Sequence, residues 1–162
     1  MTLLAGSGPA VCIGADIDTD LVIAGRYLRT KDRSVWAEHA FEDLDPTLAP
    51  RLKGCVLVTG KNMGCGSSRE QAVMALREAG VLAVIAPSFA RIFFRNCINV
   101  GLPVLECEGL LCSDGEMVTY DCTTGMVSSG GRSFDCRPLS PKMQEILVAG
   151  GLVEYWKGRL SQ

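Results

Sequence analysis

The clearest pattern in the chain is a set of continuous apolar runs separated by segments with helical periodicity. Residues 55–59 and 81–86 are uninterrupted apolar runs, which are typical of strands covered on both faces. Residues 68–79 and 88–100, which follow them, repeat apolar positions at helical spacing. A third apolar run at 104–107 completes a β-α-β-α-β order, which predicts right-handed crossovers and a parallel sheet.

The pattern changes on both sides of this parallel core. Residues 10–14 predict a short strand, and the charged segment 31–45 predicts a short helix. Residues 110–136 alternate in short segments between turn residues, which predicts antiparallel strands and hairpins. Residues 140–149 predict a terminal helix, which the glycines at 150–151 separate from a last short segment. The fold class is therefore α/β, with a parallel core and additional antiparallel strands.

Length and composition are those of one ordinary domain spanning residues 1–162. The net charge of −2 argues against a nucleic-acid binder, which usually carries a strong basic excess. No segment has the ~20 consecutive apolar residues that a membrane span requires. No Lys or Arg precedes Arg26, so the basic region of a signal peptide is absent and we expect a cytoplasmic protein.

Eight cysteines are distributed along the chain, and no two have C-x-x-C spacing. Zinc ribbons, thioredoxin-type motifs and ferredoxin-type cluster motifs are therefore not supported. Most of the cysteines lie in apolar stretches, where free cysteine behaves as a small hydrophobic residue. We expect free thiols, and no metal or cofactor bound by this chain alone.

A glycine-rich segment at residues 60–70 joins a buried strand to the start of a helix. Ligands bind at such junctions in α/β proteins, and the free N–H groups of a helix N-terminus favour an anion. Gly64 and Gly66 allow close approach of the backbone, and Arg69 offers a bidentate clamp for a carboxylate or phosphate. Arg69 also breaks the dinucleotide-binding pattern, and no P-loop is present.

Two other interpretations of this segment stay open. Ser67 and Glu70 have the S-x-x-E spacing of a capping box, which stabilises a helix without any catalytic role. If Ser67 is instead catalytic, Ser68 takes the capping role. Cys65 precedes the helix N-terminus, where a thiolate is stabilised, and would then define a stand-alone cysteine enzyme. Such an enzyme needs a base, and the only histidine, His39, lies in a distant segment.

Four segments occur in the same order as in the aconitase superfamily: DIDTD at 16–20, YLRT at 27–30, GCGSSRE at 64–70 and APSFARIF at 86–93. Over residues 9–155 the chain resembles the small, separately encoded swivel-domain subunits of that superfamily, those of 3-isopropylmalate dehydratase and homoaconitase. The resemblance implies a three-layer β/β/α swivelling domain. It also implies a large-subunit partner that holds a [4Fe-4S] cluster, and a reaction of dehydration followed by rehydration.

The resemblance also implies roles for individual residues. Ser67 matches the serine that abstracts the α-proton, and Ser68 and Arg69 match residues that bind substrate carboxylates. In the family, one loop distinguishes between substrates, and the matching residues here are Tyr27, Arg29 and Thr30. The residues expected to support the site are Asp20, Gly64, Cys65, Gly66, Glu70 and Arg91.

The leading hypothesis is a small subunit that isomerises isopropylmalate in leucine biosynthesis, active only with its large subunit. Two departures from the pattern matter: Gln71 stands where the family often has His, and Arg29 is closer to the homoaconitase or broad-specificity type. A tricarboxylate substrate is therefore the alternative within this enzyme class. A hypothesis of another class is a non-catalytic module that binds anions, and self-association of the isolated chain stays open.

Overall fold

The computed structural model describes residues 4–162, which alternate strands and helices in the N-terminal two thirds, then form a meander of three strands and end in two helices. The strands are β1 (Ala5–Cys12), β2 (Val56–Val58), β3 (Ala83–Ala86), β4 (Val104–Glu106), β5 (Met117–Asp121), β6 (Met126–Ser129) and β7 (Arg132–Asp135). The helices are α1 (Thr19–Val22), α2 (Arg33–Glu38), α3 (Glu70–Glu78), α4 (Arg91–Val100), α5 (Pro141–Ala149) and α6 (Leu152–Leu160), with 3-10 turns at Gly25–Tyr27 and Ala49–Arg51.

Strand β1 is the centre of one mixed sheet with the order β4-β3-β2-β1-β5-β6-β7. It pairs in parallel with β2, where Cys12 lies opposite Val58, and antiparallel with β5 on its other side. The pairs β2–β3 and β3–β4 are also parallel, whereas β5–β6 and β6–β7 are antiparallel. The α/β class with a parallel β-α-β-α-β core and added antiparallel strands is confirmed. The carboxyl ends of the four parallel strands therefore meet at one edge of the sheet.

The two edge strands of this sheet come together because the sheet curls. Cys107 follows β4 and Cys136 follows β7, and a disulfide joins them across 29 residues. Beside it, the backbone N–H of Arg137 donates to the carbonyl oxygen of Glu106 at 3.1 Å. The expectation of free thiols is therefore wrong for these two cysteines, since the curl of the sheet sets their pairing. The other six are free thiols: Cys12, Cys55, Cys65, Cys97, Cys112 and Cys122.

The parallel strands have the burial that their apolar sequences predict. All four residues of β3 are buried, because helices cover one face of the sheet and other apolar side chains cover the second. Gly101 at the end of α4 has φ 82°, the left-handed conformation that a C-terminal glycine adopts. None of the helices between residues 4 and 162 has the length and apolar character needed to cross a lipid bilayer.

The structure differs from the predicted boundaries at both ends of the chain. Strand β1 begins at Ala5 rather than residue 10, although glycines weaken a strand. Gly8 is required there by space, since a Cβ at this position would lie 2.3 Å from the carbonyl oxygen of Gly54. The last segment, after Gly151, is the nine-residue helix α6, which packs against α5.

We expect Ser140→Ala to lower the free energy of unfolding by about 1 kcal/mol. Ser140 is the N-cap of α5, and its hydroxyl oxygen accepts from the backbone N–H of Met143 at 3.3 Å. Urea unfolding of the two proteins measures the difference. Ser133→Ala, at an exposed position of β7, is the control and should change stability by less than about 0.5 kcal/mol. Equal effects of the two changes would contradict the capping role.

Candidate functional site

Two loops at the carboxyl edge of the sheet are joined by backbone hydrogen bonds. Asp18, after β1, and Cys65, after β2, form an isolated parallel bridge. The N–H of Gly64 donates to the carbonyl oxygen of Ile17 at 2.9 Å, and the N–H of Thr19 donates to that of Cys65 at 3.0 Å. These bonds extend the pairing of β1 and β2 beyond the strands and hold the glycine-rich loop on one side.

The same loop is held on its other side by the segment that follows β3. Met63 and Phe89 form a second parallel bridge. The N–H of Met63 donates to the carbonyl oxygen of Ser88 at 3.1 Å, and the N–H of Ala90 donates to that of Met63 at 2.9 Å. Met63 itself is fully buried. The loop is thus positioned between two neighbours by main-chain bonds.

Close contacts explain why this loop needs glycine at two positions. A Cβ at Gly66 would lie 2.2 Å from a carboxylate oxygen of Asp18, and the residue has φ 86°. A Cβ at Gly64 would lie 2.0 Å from the ring of Phe93. The chain then turns so that the hydroxyl of Thr19 donates to the carbonyl oxygen of Ser67 at 2.7 Å. This bond fixes the main chain of Ser67.

A cavity of about 210 Å³ lies between the loop and the first turns of α4. Ser67 and Ser68 line it and are exposed, and none of the hydrogen bonds in the described part of the chain uses either hydroxyl. The cavity is lined by six of the site residues predicted from the sequence: Gly64, Gly66, Ser67, Ser68, Arg69 and Arg91.

The N-termini of α3 and α4 both reach this cavity without a side-chain cap. The N-cap residues are Arg69 for α3 and Ala90 for α4, and neither makes a capping hydrogen bond with its side chain. The interpretation of Ser67 and Glu70 as a capping box is therefore wrong, as is the conditional alternative of a cap at Ser68, because α3 begins only at Glu70 and its N-cap residue is Arg69. The free N–H groups and the positive ends of two helix dipoles favour an anion here.

Arg69 adds a fixed positive charge to this environment. Its Nη2 lies 2.8 Å from a carboxylate oxygen of Asp20, whereas its Nη1 is buried and has no hydrogen-bond partner. Gly25 lies against the guanidinium, since a Cβ there would be 3.6 Å from Nη1. A buried donor without a partner is costly, so Nη1 is suited to receive an acceptor from a ligand.

The predicted substrate loop lies outside the cavity in the isolated chain. The hydroxyl of Tyr27 donates to Glu42 at 2.6 Å, and the Tyr27 ring stacks on His39 with centroids 4.1 Å apart. The hydroxyl oxygen of Thr30 accepts from the N–H of Asp32 at 3.1 Å, and Arg29 is exposed. The hydrogen bond to Glu42 also raises the pKa of Tyr27. Gly25, which precedes this loop, lies near Arg69 of the cavity.

Cys65 has the opposite electrostatics from those of a cysteine nucleophile. Partial burial raises the pKa of its thiol, and the carboxylates of Asp18 and Asp16 raise it further. The expected stabilisation of a thiolate is therefore wrong. His39 is engaged elsewhere, because its Nδ1 lies 2.5 Å from Glu42. The hypothesis of a stand-alone cysteine enzyme therefore has neither a stabilised thiolate nor an available base to support it.

Three further residues of the site have little signal in the sequence. Thr19 positions Ser67, and Asn96 and Ile92 line the cavity from α4. The four-residue spacing of Ile92 and Asn96 places them on one helix face and was the available signal. Glu70, predicted as a supporting residue, instead lines a separate depression of about 520 Å³ that extends to the junction between α5 and α6 and to the start of α6.

The described residues do not offer a metal centre. Between residues 4 and 162 there is no group of three or more His, Cys, Asp or Glu side chains that could hold a metal ion. Residues 4–162 therefore do not fit an iron–sulfur cluster, which is usually held by several cysteine thiolates.

Comparison with known proteins agrees with this geometry. The aconitase C-terminal domain family matches residues 14–109. A 3-isopropylmalate dehydratase small subunit of Caldicellulosiruptor bescii is 47% identical over 152 residues, covering 91% of this chain and 92% of the relative. One from Pyrobaculum calidifontis is also 47% identical, covering 94% and 97%. The crystal structure of a 3-isopropylmalate dehydratase from Methanocaldococcus jannaschii is 42% identical, with a TM-score of 0.92 over 97% of this chain and 96% of that one.

We expect Cys65 to react with iodoacetamide more slowly than N-acetylcysteine does at neutral pH. Only the thiolate reacts, and a raised pKa keeps the thiol protonated below that pKa. The rate should therefore rise about tenfold per pH unit up to the raised pKa. Peptide mass spectrometry of alkylated protein measures it, with Cys65→Ser to assign the peptide. A Cys65 rate equal to or above that of N-acetylcysteine would contradict the electrostatics described.

Proposed function

The chain belongs to the 3-isopropylmalate dehydratase small-subunit family, and on this premise we propose that it is the small subunit of a heteromeric hydro-lyase. The reaction interconverts 2-isopropylmalate and 3-isopropylmalate by removal and re-addition of water, in leucine biosynthesis. The observation that supports this most strongly is the unpartnered, buried Nη1 of Arg69 beside the free hydroxyls of Ser67 and Ser68. A carboxylate is the ligand that such a constellation favours.

Binding of the diacid substrate follows from the charges around the cavity. The free N–H groups at the starts of α3 and α4 are donors, and a carboxylate oxygen is their natural acceptor. Arg69 would use Nη1 for the same carboxylate while Nη2 stays with Asp20. Ser68 and Arg91, which line the cavity, complete the set of positive or donating groups.

We assign the proton transfer to the hydroxyl oxygen of Ser67. Dehydration requires a base that removes the α-proton, and rehydration returns the proton to carbon. A serine hydroxyl is a poor base in water, but two helix N-termini and Arg69 stabilise its alkoxide. The bond from Thr19 holds the carbonyl of Ser67 and leaves the hydroxyl free for this step.

The site is complete only when the large subunit is bound. Ser67, Ser68 and Arg91 are all exposed in this chain, so water has access to each of them. A partner surface that covers the cavity would lower the local dielectric and strengthen every charge interaction in it. We propose that the [4Fe-4S] cluster resides on that large subunit, because the described residues of this chain do not fit one. The isolated chain should be inactive.

We also propose a cytoplasmic location. Six of the eight cysteines are free thiols, which favours a reducing compartment, and the Cys107–Cys136 disulfide is the exception to this pattern.

We expect Ser67→Ala to lower kcat of the reconstituted complex by 10²-fold or more, the usual scale for loss of an acid–base group. The assay follows hydration of isopropylmaleate under anaerobic conditions, with large subunit whose cluster is shown intact and with each chain alone. Ser133→Ala, at an exposed position of β7, is the matched control and should retain full activity. Unchanged activity of Ser67→Ala would instead favour the module that only binds anions.

We expect Arg29→Val to change kcat/KM for isopropylmaleate by less than about threefold, since an isopropyl group offers no charge for an arginine to pair with. Arg29 is exposed and outside the cavity in the isolated chain. The same complex assayed with cis-homoaconitate tests the tricarboxylate alternative. A large loss confined to cis-homoaconitate would identify Arg29 as the partner of a third carboxylate and contradict the isopropylmalate assignment.

A further inference from the structure

Two thiols far apart in sequence lie in contact beside the end of β1. The sulfurs of Cys12 and Cys112 are 3.6 Å apart, although 100 residues separate them along the chain. Both side chains are partly exposed, unlike those of Cys55, Cys97 and Cys122, which are buried. A reagent from solvent therefore has access to this pair but not to those buried thiols.

Main-chain hydrogen bonds hold the two cysteines in this arrangement. The N–H of Ala10 donates to the carbonyl oxygen of Glu116 at 2.7 Å, and the N–H of Gly115 donates to that of Ala10 at 2.8 Å. The N–H of Cys12 itself donates to a carboxylate oxygen of Asp114 at 2.9 Å. These bonds attach the loop that carries Cys112 to the strand that carries Cys12 and so keep the two thiols close together.

The chemistry of the pair is that of a dithiol rather than a metal centre. Within residues 4–162 no third His, Cys, Asp or Glu joins the two sulfurs to make a metal site. A disulfide bond of about 2.05 Å requires the two sulfurs to approach by about 1.5 Å from their present separation.

We propose that Cys12 and Cys112 form a thiol–disulfide exchange site that reacts with small-molecule disulfides such as oxidised glutathione. The thiolate of Cys12 attacks one sulfur of the small disulfide, which forms a mixed disulfide and releases one thiolate. Cys112 then loses its proton and attacks the Cys12 sulfur, which releases the second small thiol. Two protein thiols are oxidised to one disulfide, and one small disulfide is reduced to two thiols.

The charges around the pair set how its reactivity depends on pH. Burial raises the pKa of Cys12, and burial together with the contact to Cys12 raises that of Cys112 to about 12. The carboxylates of Asp114 and Glu116 raise both, whereas Arg51 lowers that of Cys12. We assign Cys12 as the first attacking thiol because the positive charge of Arg51 acts on it. The exchange is slow near neutral pH and accelerates as pH rises, because only the thiolate attacks.

A disulfide here would brace the base of the candidate site. Cys12 ends β1, and the segment that follows it runs to Asp18 and Thr19, which pair with the glycine-rich loop. The link also closes a loop of about 100 residues, which restricts the unfolded chain and raises thermal stability.

The test treats the full chain, with Cys12 and Cys112 reduced, with oxidised glutathione at about pH 7 and about pH 8.5. We expect a Cys12–Cys112 peptide in a non-reducing digest, separate from the Cys107–Cys136 peptide, which forms faster at the higher pH and disappears on treatment with dithiothreitol. The melting temperature should rise by several degrees. The absence of the linked peptide at both pH values would overturn the proposal.

Single variants separate the pair from other exposed thiols. Cys12→Ser and Cys112→Ser should stop at the mixed disulfide or stay unmodified, and neither should gain thermal stability with oxidised glutathione. Cys65→Ser, which removes another partly exposed thiol, should form the link as the unaltered chain does. Retention of the stability gain in either Cys12→Ser or Cys112→Ser would refute the site. None of these readouts depends on enzymatic activity.

Discussion

The backbone pairing between the segment after β1 and the glycine-rich loop after β2 is the constraint on which the site depends. It requires Asp18 to lie beside Cys65 and leaves no room for a side chain at Gly66. Because of it, the hydroxyl of Thr19 reaches the carbonyl of Ser67 and the carboxylate of Asp20 reaches Arg69. A shift in this pairing would move Ser67, the proposed proton-transfer residue, together with Arg69, the proposed carboxylate-binding residue.

The electrostatics of the cavity depend on the absence of side-chain caps at the N-termini of α3 and α4. A side-chain cap at α3 or α4 would have used the N–H groups that an anion needs, and neither helix has one. The Nη1 of Arg69 is likewise a hydrogen-bond donor without a partner. Groups left unsatisfied in an otherwise well-bonded fold indicate the place where a ligand completes the structure. These free donors are the basis on which we propose that the cavity binds a carboxylate.

The curled sheet also decides the chemistry of the cysteines. Cys107 and Cys136 meet because the two edge strands meet, and Cys12 and Cys112 touch because a loop returns to β1. Neither pair has a short sequence spacing, such as C-x-x-C, from which the pairing could be predicted. By contrast, Cys97 is buried as the helical periodicity of α4 predicts, since periodicity reports which face of an element is covered.

The sequence by itself determined the order of the parallel strands and helices, the antiparallel meander and the segment from Gly64 to Arg69 that lines the cavity. These features depend on local periodicity, on glycine and on neighbouring residues, which one stretch of chain contains completely. Only the tertiary structure decided that Ser67 is not a cap, that Cys65 is disfavoured as a thiolate and that Arg69 keeps a free donor. Each of these depends on pairing with residues about 50 positions away, such as Asp18 and Asp20, and the register of such pairing is set by the assembled sheet.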